Sequence, residues 1–295
     1  MSTLLSVELN NIEKRMLKSK SSISTGILSL DKSLGNIGFE DGHLYVLASR
    51  PSMGKSSLAL NFLINAQQSL KPDDVAVFIS TNDSTTVLIQ RLLSIGLNIP
   101  IQKIQYGEIT ESEAILIKSD PYLERLCNNN LVLIESETNS FNKINKLLIN
   151  LASQRKKVRF LIIDKIQSFS TEKTKSREEG LKILMKQLKD LSIKNKIPIL
   201  ITSDVNRRVE ISQSDKYPRI KDMAESKFIG YMSDFCMVLV RPEYYDISSD
   251  TIGNNQTIAN IKLQKNIYGP LENIVLHTKM EQLQFMNMST FRQYS

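Results

Sequence analysis

The sequence predicts an α/β fold in which a mostly parallel, twisted sheet is flanked by helices and extended by a C-terminal β-hairpin. Three observations predict this class. From Ser24 onward, short apolar runs alternate with longer amphipathic runs, as in successive βαβ units. The apolar run 44–48 leads directly into a glycine-containing loop and then a helical pattern. The segment 258–288 reads as alternating strands around the turn signal 268–270, which indicates a hairpin.

Each predicted element follows from its periodicity. Short apolar runs predict six strands: Leu44–Ala48, Val75–Ser80, Leu131–Ile134, Phe160–Ile163, Ile197–Thr202 and Phe235–Val240. Apolar residues at spacings of three and four predict four helices: Ser57–Ser69, Thr85–Gly96, Ser140–Ser153 and Ser176–Asn195. A chain of 295 residues with 41% apolar content can bury a large core, so we expect one large domain rather than two small ones.

Residues 4–18 are predicted to form a separate amphipathic helix. Leu5, Leu9, Ile12 and Met16 fall on one face, and a polar hinge at 18–22 follows. The pattern fits equally well a helix that packs outside its own domain and one that folds back on its own core. We therefore divide the chain into a linker-like helix, 1–22, and a main domain, 23–295.

Composition excludes several classes of protein. No stretch approaches the ~20 apolar residues of a membrane span and no secretory leader precedes the domain, so we expect a cytoplasmic protein with no membrane partner. Cys127 and Cys236 are too few for a disulfide framework or a cysteine metal cluster. The net charge of +7 suits a polyanionic partner without requiring one.

The segment Arg50–Ser57 reads RPSMGKSS and follows a predicted strand, which indicates a phosphate-binding loop. Gly54 lets backbone N–H groups close on phosphate oxygens, Lys55 reaches the β- and γ-phosphates, and Ser56 supplies a hydroxyl for Mg²⁺. The helix that follows would point its N-terminal dipole at the same anion. The predicted binding residues are Ser52, Met53, Gly54, Lys55, Ser56 and Ser57.

A second motif points to the metal that accompanies a nucleotide. The apolar run Phe160–Ile163 ends in Asp164, the pattern by which P-loop proteins place a carboxylate for Mg²⁺ beside the phosphate loop. We therefore predict ATP and Mg²⁺ as cofactors, with the metal near Ser56 and Asp164.

Together, these segments resemble the C-terminal RecA-like motor domain of DnaB-type replicative helicases, and the resemblance covers nearly the whole chain. In that family the first glycine of the loop is often replaced, which accounts for Ser49. The resemblance implies a RecA-like P-loop fold, an ATP-dependent DNA motor and a hexameric ring. It rests on an ordered series of matches: Ser24–Gly26, Leu30-Asp31, Gly42, Arg50–Ser56, Ile163–Gln167, Asn206-Arg207, Asp222–Ser226, Asp234, Arg241, Glu243–Tyr245, Lys265 and Tyr268–Pro270.

The departures from the family fall on positions that the resemblance assigns to hydrolysis. Asn82 stands where the family carries the glutamate that orients the attacking water, and an amide cannot accept a proton. Asp83 is adjacent, but it could substitute only if the strand end bends. Asp204 replaces the family's γ-phosphate-sensing glutamine, and a carboxylate there would repel the triphosphate unless Mg²⁺ or a lysine intervenes. Ile267 replaces the arginine finger.

The resemblance also implies further binding residues. Gln167, Arg241 and Lys265 match positions associated with the nucleotide. Two basic segments match the loops that face the centre of a ring, where lysine and arginine would engage the phosphates of single-stranded DNA. The predicted DNA-binding residues are Lys173, Lys175, Arg177, Arg207, Arg208 and Lys216.

Three functions remain open at this stage. The first is an active hexameric replicative helicase that unwinds DNA at the expense of ATP. The second, which we favour, is an ATP-binding relative with weakened hydrolysis and an accessory or regulatory role. It would work as a homo-oligomer or with another replicative helicase. An accessory role fits the short segment before the motor domain, which has no primase-recruiting domain. The third, a RecA-fold recombination or signalling ATPase, is disfavoured by the helicase-like hairpin.

Overall fold

A computed structural model describes residues 22–35, 38–127, 130–136, 140–170, 174–206, 218–245 and 258–288. Residues 1–21 of the predicted linker-like segment, 1–22, therefore lie outside the described residues. Within the described part of the chain, no helix is long and apolar enough to cross a membrane.

A nine-stranded sheet organises the chain. The strands are β3 (Leu44–Ser49), β4 (Asp74–Ser80), β5 (Leu131–Glu135), β6 (Lys157–Asp164), β7 (Ile199–Asp204), β8 (Phe235–Val240), β9 (Ile258–Asn266), β10 (Asn273–Lys279) and β11 (Gln284–Asn287). Their order across the sheet is β11-β10-β9-β8-β3-β7-β6-β4-β5. The six strands from β8 to β5 are parallel, and β9, β10 and β11 add to the β8 edge in antiparallel fashion. A separate antiparallel pair joins β1 (Ser22–Ile23) and β2 (Phe39–Glu40).

Helices connect the parallel strands, as the alternating pattern predicts. A short helix, α1 (Leu28–Ser33), lies between β1 and β2; the helices that follow are α2 (Lys55–Gln67), α3 (Thr85–Leu97), α4 (Ile101–Tyr106), α5 (Glu111–Ser119), α6 (Pro121–Cys127), α7 (Phe141–Ser153), α8 (Arg177–Asn195) and α9 (Phe228–Met232). All six predicted strands and four predicted helices are present, with ends that differ by at most a few residues. The short helices α1, α4 to α6 and α9 and the strands β1 and β2 were not predicted, and the segment 258–288, predicted as alternating strands, forms β9, β10 and β11.

The core lies on both faces of the central strands. Every residue of β3 and of β8 is buried, as expected for parallel strands that are covered on both sides. Phe39 anchors one face, since its ring stacks on Phe160 at 4.9 Å and meets Tyr45 and Phe62 edge-on. This packing fixes the central strands.

The edge of the sheet formed by the carboxyl ends of its parallel strands differs from the opposite edge, formed by their amino ends. The carboxyl ends of the neighbouring strands β3, β7 and β6 lie at one edge, where open α/β sheets bind ligands. The β9–β10 turn lies at the opposite edge, because the Tyr268 ring packs against His43 and Phe235 at the amino ends of β3 and β8. The hairpin predicted around 268–270 is thus present, but it lies far from the phosphate loop of its own chain.

Candidate functional site

A cavity of about 500 Å³ opens at the carboxyl edge of the central strands. The phosphate loop forms one wall, the ends of β4, β6 and β7 form another, and the segment between β10 and β11 forms a third. The lining residues are Arg50, Pro51, Ser52, Gly54, Lys55, Ser56, Ser57, Asn82, Asp83, Arg91, Ile101, Gln105, Asp164, Lys165, Asp204, Met280 and Leu283. Lys55 and Asp164, which the sequence predicts to act together, therefore share one cavity.

The phosphate loop passes directly into α2. Gly54 is the N-cap residue, with φ +89° and ψ +19°, a left-handed conformation that favours glycine. It has no side chain to cap the first turn, so the backbone N–H groups of that turn remain available to an anion at the positive end of the helix dipole. The side chain of Met53, a predicted binding residue, is 1% exposed and packs in the core, so only its backbone could face an anion.

The last strand of the sheet packs against this loop. A Cβ atom placed on Gly54 would lie 2.9 Å from Cζ of Phe285 and 3.2 Å from Cε of Met280. Asn61 of α2 holds β11 in place, because its amide donates to the carbonyl of Leu283 at 2.8 Å and accepts from the backbone N–H of Phe285 at 3.3 Å. Glycine is therefore required at position 54 by sterics as well as by conformation.

Asp164 fits a role as a magnesium-site carboxylate. It ends β6, is 6% exposed, and accepts a short hydrogen bond from the Thr202 hydroxyl at Oδ1. This bond fixes one oxygen and leaves Oδ2 for a hydrated ion. The described residues contain no cluster of three or more His, Cys, Asp or Glu that could hold a metal alone. Mg²⁺ suits such a site, since it commonly takes one or two carboxylates together with water and phosphate oxygens.

Asp204 lies at the end of β7 and bridges two lysines. Its Oδ1 accepts a short hydrogen bond from Lys55, and its Oδ2 lies 2.6 Å from Nζ of Lys165. Burial alone would raise the pKa of Asp204, but the charges and hydrogen bonds of the two ammonium groups hold that pKa below its usual value. The carboxylate is therefore ionised at neutral pH. It already neutralises part of the positive charge of Lys55 and Lys165 that a bound anion would otherwise contact.

The end of β4 bends between residues 81 and 83, so that Asn82 and Asp83 both line the cavity. The hydroxyl of Ser80 supports the bend by accepting from the backbone N–H of Asp83 at 2.9 Å. The bend that Asp83 would need in order to replace the missing glutamate is thus present. However, Arg91 holds both Asp83 oxygens, at 2.8 and 3.1 Å.

The other residues predicted to bind nucleotide do not line this cavity. Gln167 supports the end of β7, donating to the Ser203 hydroxyl at 2.8 Å and accepting from the backbone N–H of Asp204 at 3.2 Å. Arg241 follows β8 and pairs with Glu243, and burial lowers the pKa of its guanidinium.

Lys265 and the substituted finger position lie at the other edge of the sheet. Lys265 is paired with Cys236 at the amino end of β8, and its ammonium group donates to the carbonyls of Tyr231 and Ser233. Ile267 follows β9 and is 46% exposed. A role for this edge in nucleotide chemistry thus requires a second subunit.

The predicted DNA-binding residues are only partly described. Lys173, Arg207, Arg208 and Lys216 lie outside the described residues. Lys175 is described and lies just before α8. Arg177 begins α8 and has structural partners: its guanidinium donates to the carbonyls of Phe169 and Gln167 at 2.6 Å each and pairs with Glu225 at 2.8 Å.

Several cavity residues were missed by the sequence reasoning. Lys165 directly follows Asp164 in the chain, so its position beside the candidate magnesium carboxylate was a usable signal. Arg91, Met280 and Leu283 carry no local motif and reach the cavity only through tertiary packing. Ile101, Gln105, Met280 and Leu283 add apolar and amide surface of the kind that nucleoside sites use.

Comparisons with known proteins agree with this geometry. The family model described as "DnaB-like helicase C terminal domain" matches residues 22–287. The replicative DNA helicase DnaC of Bacillus subtilis is 27% identical over 268 residues, and DnaB of Geobacillus stearothermophilus is 28% identical over 268 residues. Each alignment covers 90% of this chain, which spans 56% of the length of each of those relatives.

Solved structures confirm the predicted RecA-like arrangement at the level of the fold. One solved ATPase domain matches with a TM-score of 0.84 at 23% identity, over 96% of this chain and 98% of that one. A DnaB-like replicative helicase, solved in a study of its interactions with primase, matches with the same TM-score and identity over 98% of this chain and 67% of that one. From the family match over nearly its whole described length, the chain belongs to the DnaB-like helicase C-terminal domains.

Proposed function

We propose that this chain is a DnaB-like protein of DNA replication that binds Mg-ATP, hydrolyses it slowly and acts in an accessory or regulatory role. The single observation that carries the proposal is the composition of one cavity. Lys55, Ser56 and Asp164 line it and provide for nucleotide and metal, while Asn82 and Asp204 line the same cavity where the chemistry would occur.

Binding is supported by the phosphate loop. Lys55 and the first turn of α2 would hold the phosphates, and Ser56 and Asp164 would hold Mg²⁺, which when bound would neutralise phosphate charge. Thr202 keeps the Asp164 carboxylate oriented toward this task.

Slow hydrolysis is supported by three side chains. Asn82 cannot take a proton from water, and the adjacent carboxylate, Asp83, is held by Arg91. Ile267 cannot stabilise developing charge. An arginine finger is worth about 10³–10⁵ in kcat, and a positioned base is worth about 10²–10⁴. Since such contributions are not additive, the loss of either one already makes a slow ATPase.

The partners belong to the same proposal. We expect a homo-oligomeric, ring-like assembly, or association with another replicative helicase, in which Lys265 of one subunit reaches the nucleotide of the next. Single-stranded DNA would bind through the basic segments around residues 171–177 and 207–221 by contacts to phosphates. Both expectations follow from the family rather than from a contact within this chain.

Steady-state ATPase assays with and without single-stranded DNA test the proposal, with Lys55→Ala as the control for contaminating activity. We expect turnover by the unsubstituted chain well below about 1 s⁻¹, and no turnover by the control. Restoring the family residues together, in Asn82→Glu/Asp204→Gln/Ile267→Arg, should raise turnover at least tenfold.

One observation favours an active helicase as the second candidate. The bend at the end of β4 does bring the Asp83 carboxylate to the cavity, where release from Arg91 would let it act as a base. DNA-stimulated turnover above about 1 s⁻¹ that is lost in both Lys55→Ala and Asp83→Asn would establish this function and refute weakened catalysis.

A further inference from the structure

The Asp204 carboxylate occupies the place of an anion between two lysines. Its two oxygens contact the ammonium groups of Lys55, from the phosphate loop, and of Lys165, from the end of β6. Phosphate oxygens interact with lysine through the same charge-assisted hydrogen bonds. A terminal phosphate that entered between these lysines would therefore have to displace Asp204 from both of them.

Asp204 cannot move far when it is displaced. Asp204 pairs with Ser49 in the register of β7 and β3. Its backbone N–H donates to Oε1 of Gln167 at 3.2 Å, and its carbonyl accepts from the backbone N–H of Ala224 at 2.9 Å. Only the short side chain can rotate, so the carboxylate stays within a few ångströms of whatever binds the two lysines.

The charges of the residues that line the cavity also oppose the entry of a terminal phosphate. Among the cationic residues that line the cavity, Lys55 and Lys165 face Asp204, and Arg91 faces Asp83. Each phosphate added to a nucleotide brings more negative charge into a site where the lining carboxylates already offset most of the positive charge. The β-phosphate of a diphosphate at the loop would compete with Asp204 for Lys55 alone, whereas a γ-phosphate between the two lysines would compete with it for both.

We infer that this site binds nucleoside diphosphates in preference to triphosphates, with the Asp204 carboxylate standing in for the terminal phosphate. The inference rests on the proposed nucleotide binding and specifies its ligand class. A chain with this preference is held in the state that follows hydrolysis, which suits a regulatory subunit better than a motor.

Isothermal titration calorimetry with ADP and with ATP, each with excess MgCl₂, tests the inference on the full chain. We expect ADP to bind at least tenfold more tightly than ATP, a difference of about 1.4 kcal/mol. In Asp204→Asn the ratio should fall below about threefold, because ATP affinity rises more than ADP affinity. Asp41→Asn is the matched control, since Asp41 is also an ion-paired carboxylate: its side chain is 19% exposed, against 20% for Asp204, and it precedes β3 at the other edge.

The possible results distinguish a failure of this inference from a failure of the proposed function. Equal affinities, or tighter binding of ATP, in the unsubstituted chain overturn the inference and leave nucleotide binding intact; this measurement does not depend on any variant folding. A preference for ADP that persists in Asp204→Asn, or that Asp41→Asn also removes, refutes the role of Asp204. If neither nucleotide binds to the folded chain, the proposed function fails and the inference fails with it.

Discussion

Replacing Gly54 with alanine tests whether the last strand shapes the phosphate loop. An alanine at φ +89° costs about 1–2 kcal/mol of backbone strain. Its Cβ would also lie 2.9 Å from the buried Phe285 ring, and overpacking of this kind costs a further 1–3 kcal/mol or so. We therefore expect Gly54→Ala to lower the free energy of unfolding by about 2–5 kcal/mol in urea titrations without nucleotide.

The chain offers a matched control at Gly107. This glycine also has a left-handed backbone, with φ +71°, but a Cβ there would meet nothing within 4 Å. Gly107→Ala should thus lose only the backbone term, about 1–2 kcal/mol. The difference between the two variants isolates the collision with Phe285.

A double-mutant cycle with Phe285→Leu completes the test. The smaller side chain should recover part of the loss at Gly54, with a coupling energy of about 0.5–3 kcal/mol. If the two glycine variants differ by less than about 0.5 kcal/mol and the coupling is near zero, the packing of β11 does not constrain the loop.

Three more predictions follow from single side chains. Arg177→Ala should lower the free energy of unfolding by about 1.5–3 kcal/mol, since it removes charged hydrogen bonds to two carbonyls; a change below about 0.5 kcal/mol would contradict the structural role. The ammonium of Lys103 and the cap of α5 lower the pKa of Glu113 to about 2, so the stabilising contribution of this carboxylate is complete above its ordinary pKa and is lost as pH falls toward 2. An NMR titration midpoint near 4.5 would contradict this shift. Burial raises the pKa of the Cys236 thiol to about 12. In a Cys127→Ser variant, Cys236 should therefore resist labelling by DTNB at pH 8 until the protein unfolds. Rapid labelling of the folded chain would contradict this prediction, because it would show that the thiol is accessible.

The parallel strands were predictable because they are buried on both faces. Such strands are continuous apolar runs, and the predicted bounds of Phe235–Val240 are those of β8 in the structure. The helices α4 and α5 were missed because neither buries a residue, so the sequence carries no amphipathic pattern there. The capping box at Thr110 and Glu113 was a local signal that could have found α5.

The site was predictable where its chemistry is local. Lys55 and Asp164 each follow a strand in a recognisable motif, and both reach the same cavity. The bridge from Asp204 to two lysines depends on which strands are neighbours, and the packing of Phe285 on the loop depends on a strand distant in sequence. Sequence periodicity contains neither relationship, because both arise from long-range tertiary contacts.

Because Phe285 packs against Gly54, part of the support of the phosphate loop is synthesised long after the loop itself. A ribosome delivers the phosphate loop early, and it delivers the strand that buttresses this loop only after almost every other described element has emerged. Segments made first can collapse on one another while the chain grows. The loop nevertheless acquires its final support only when β11 joins the sheet, so a nascent chain interrupted before that strand has the sequence of the loop without the wall that shapes it.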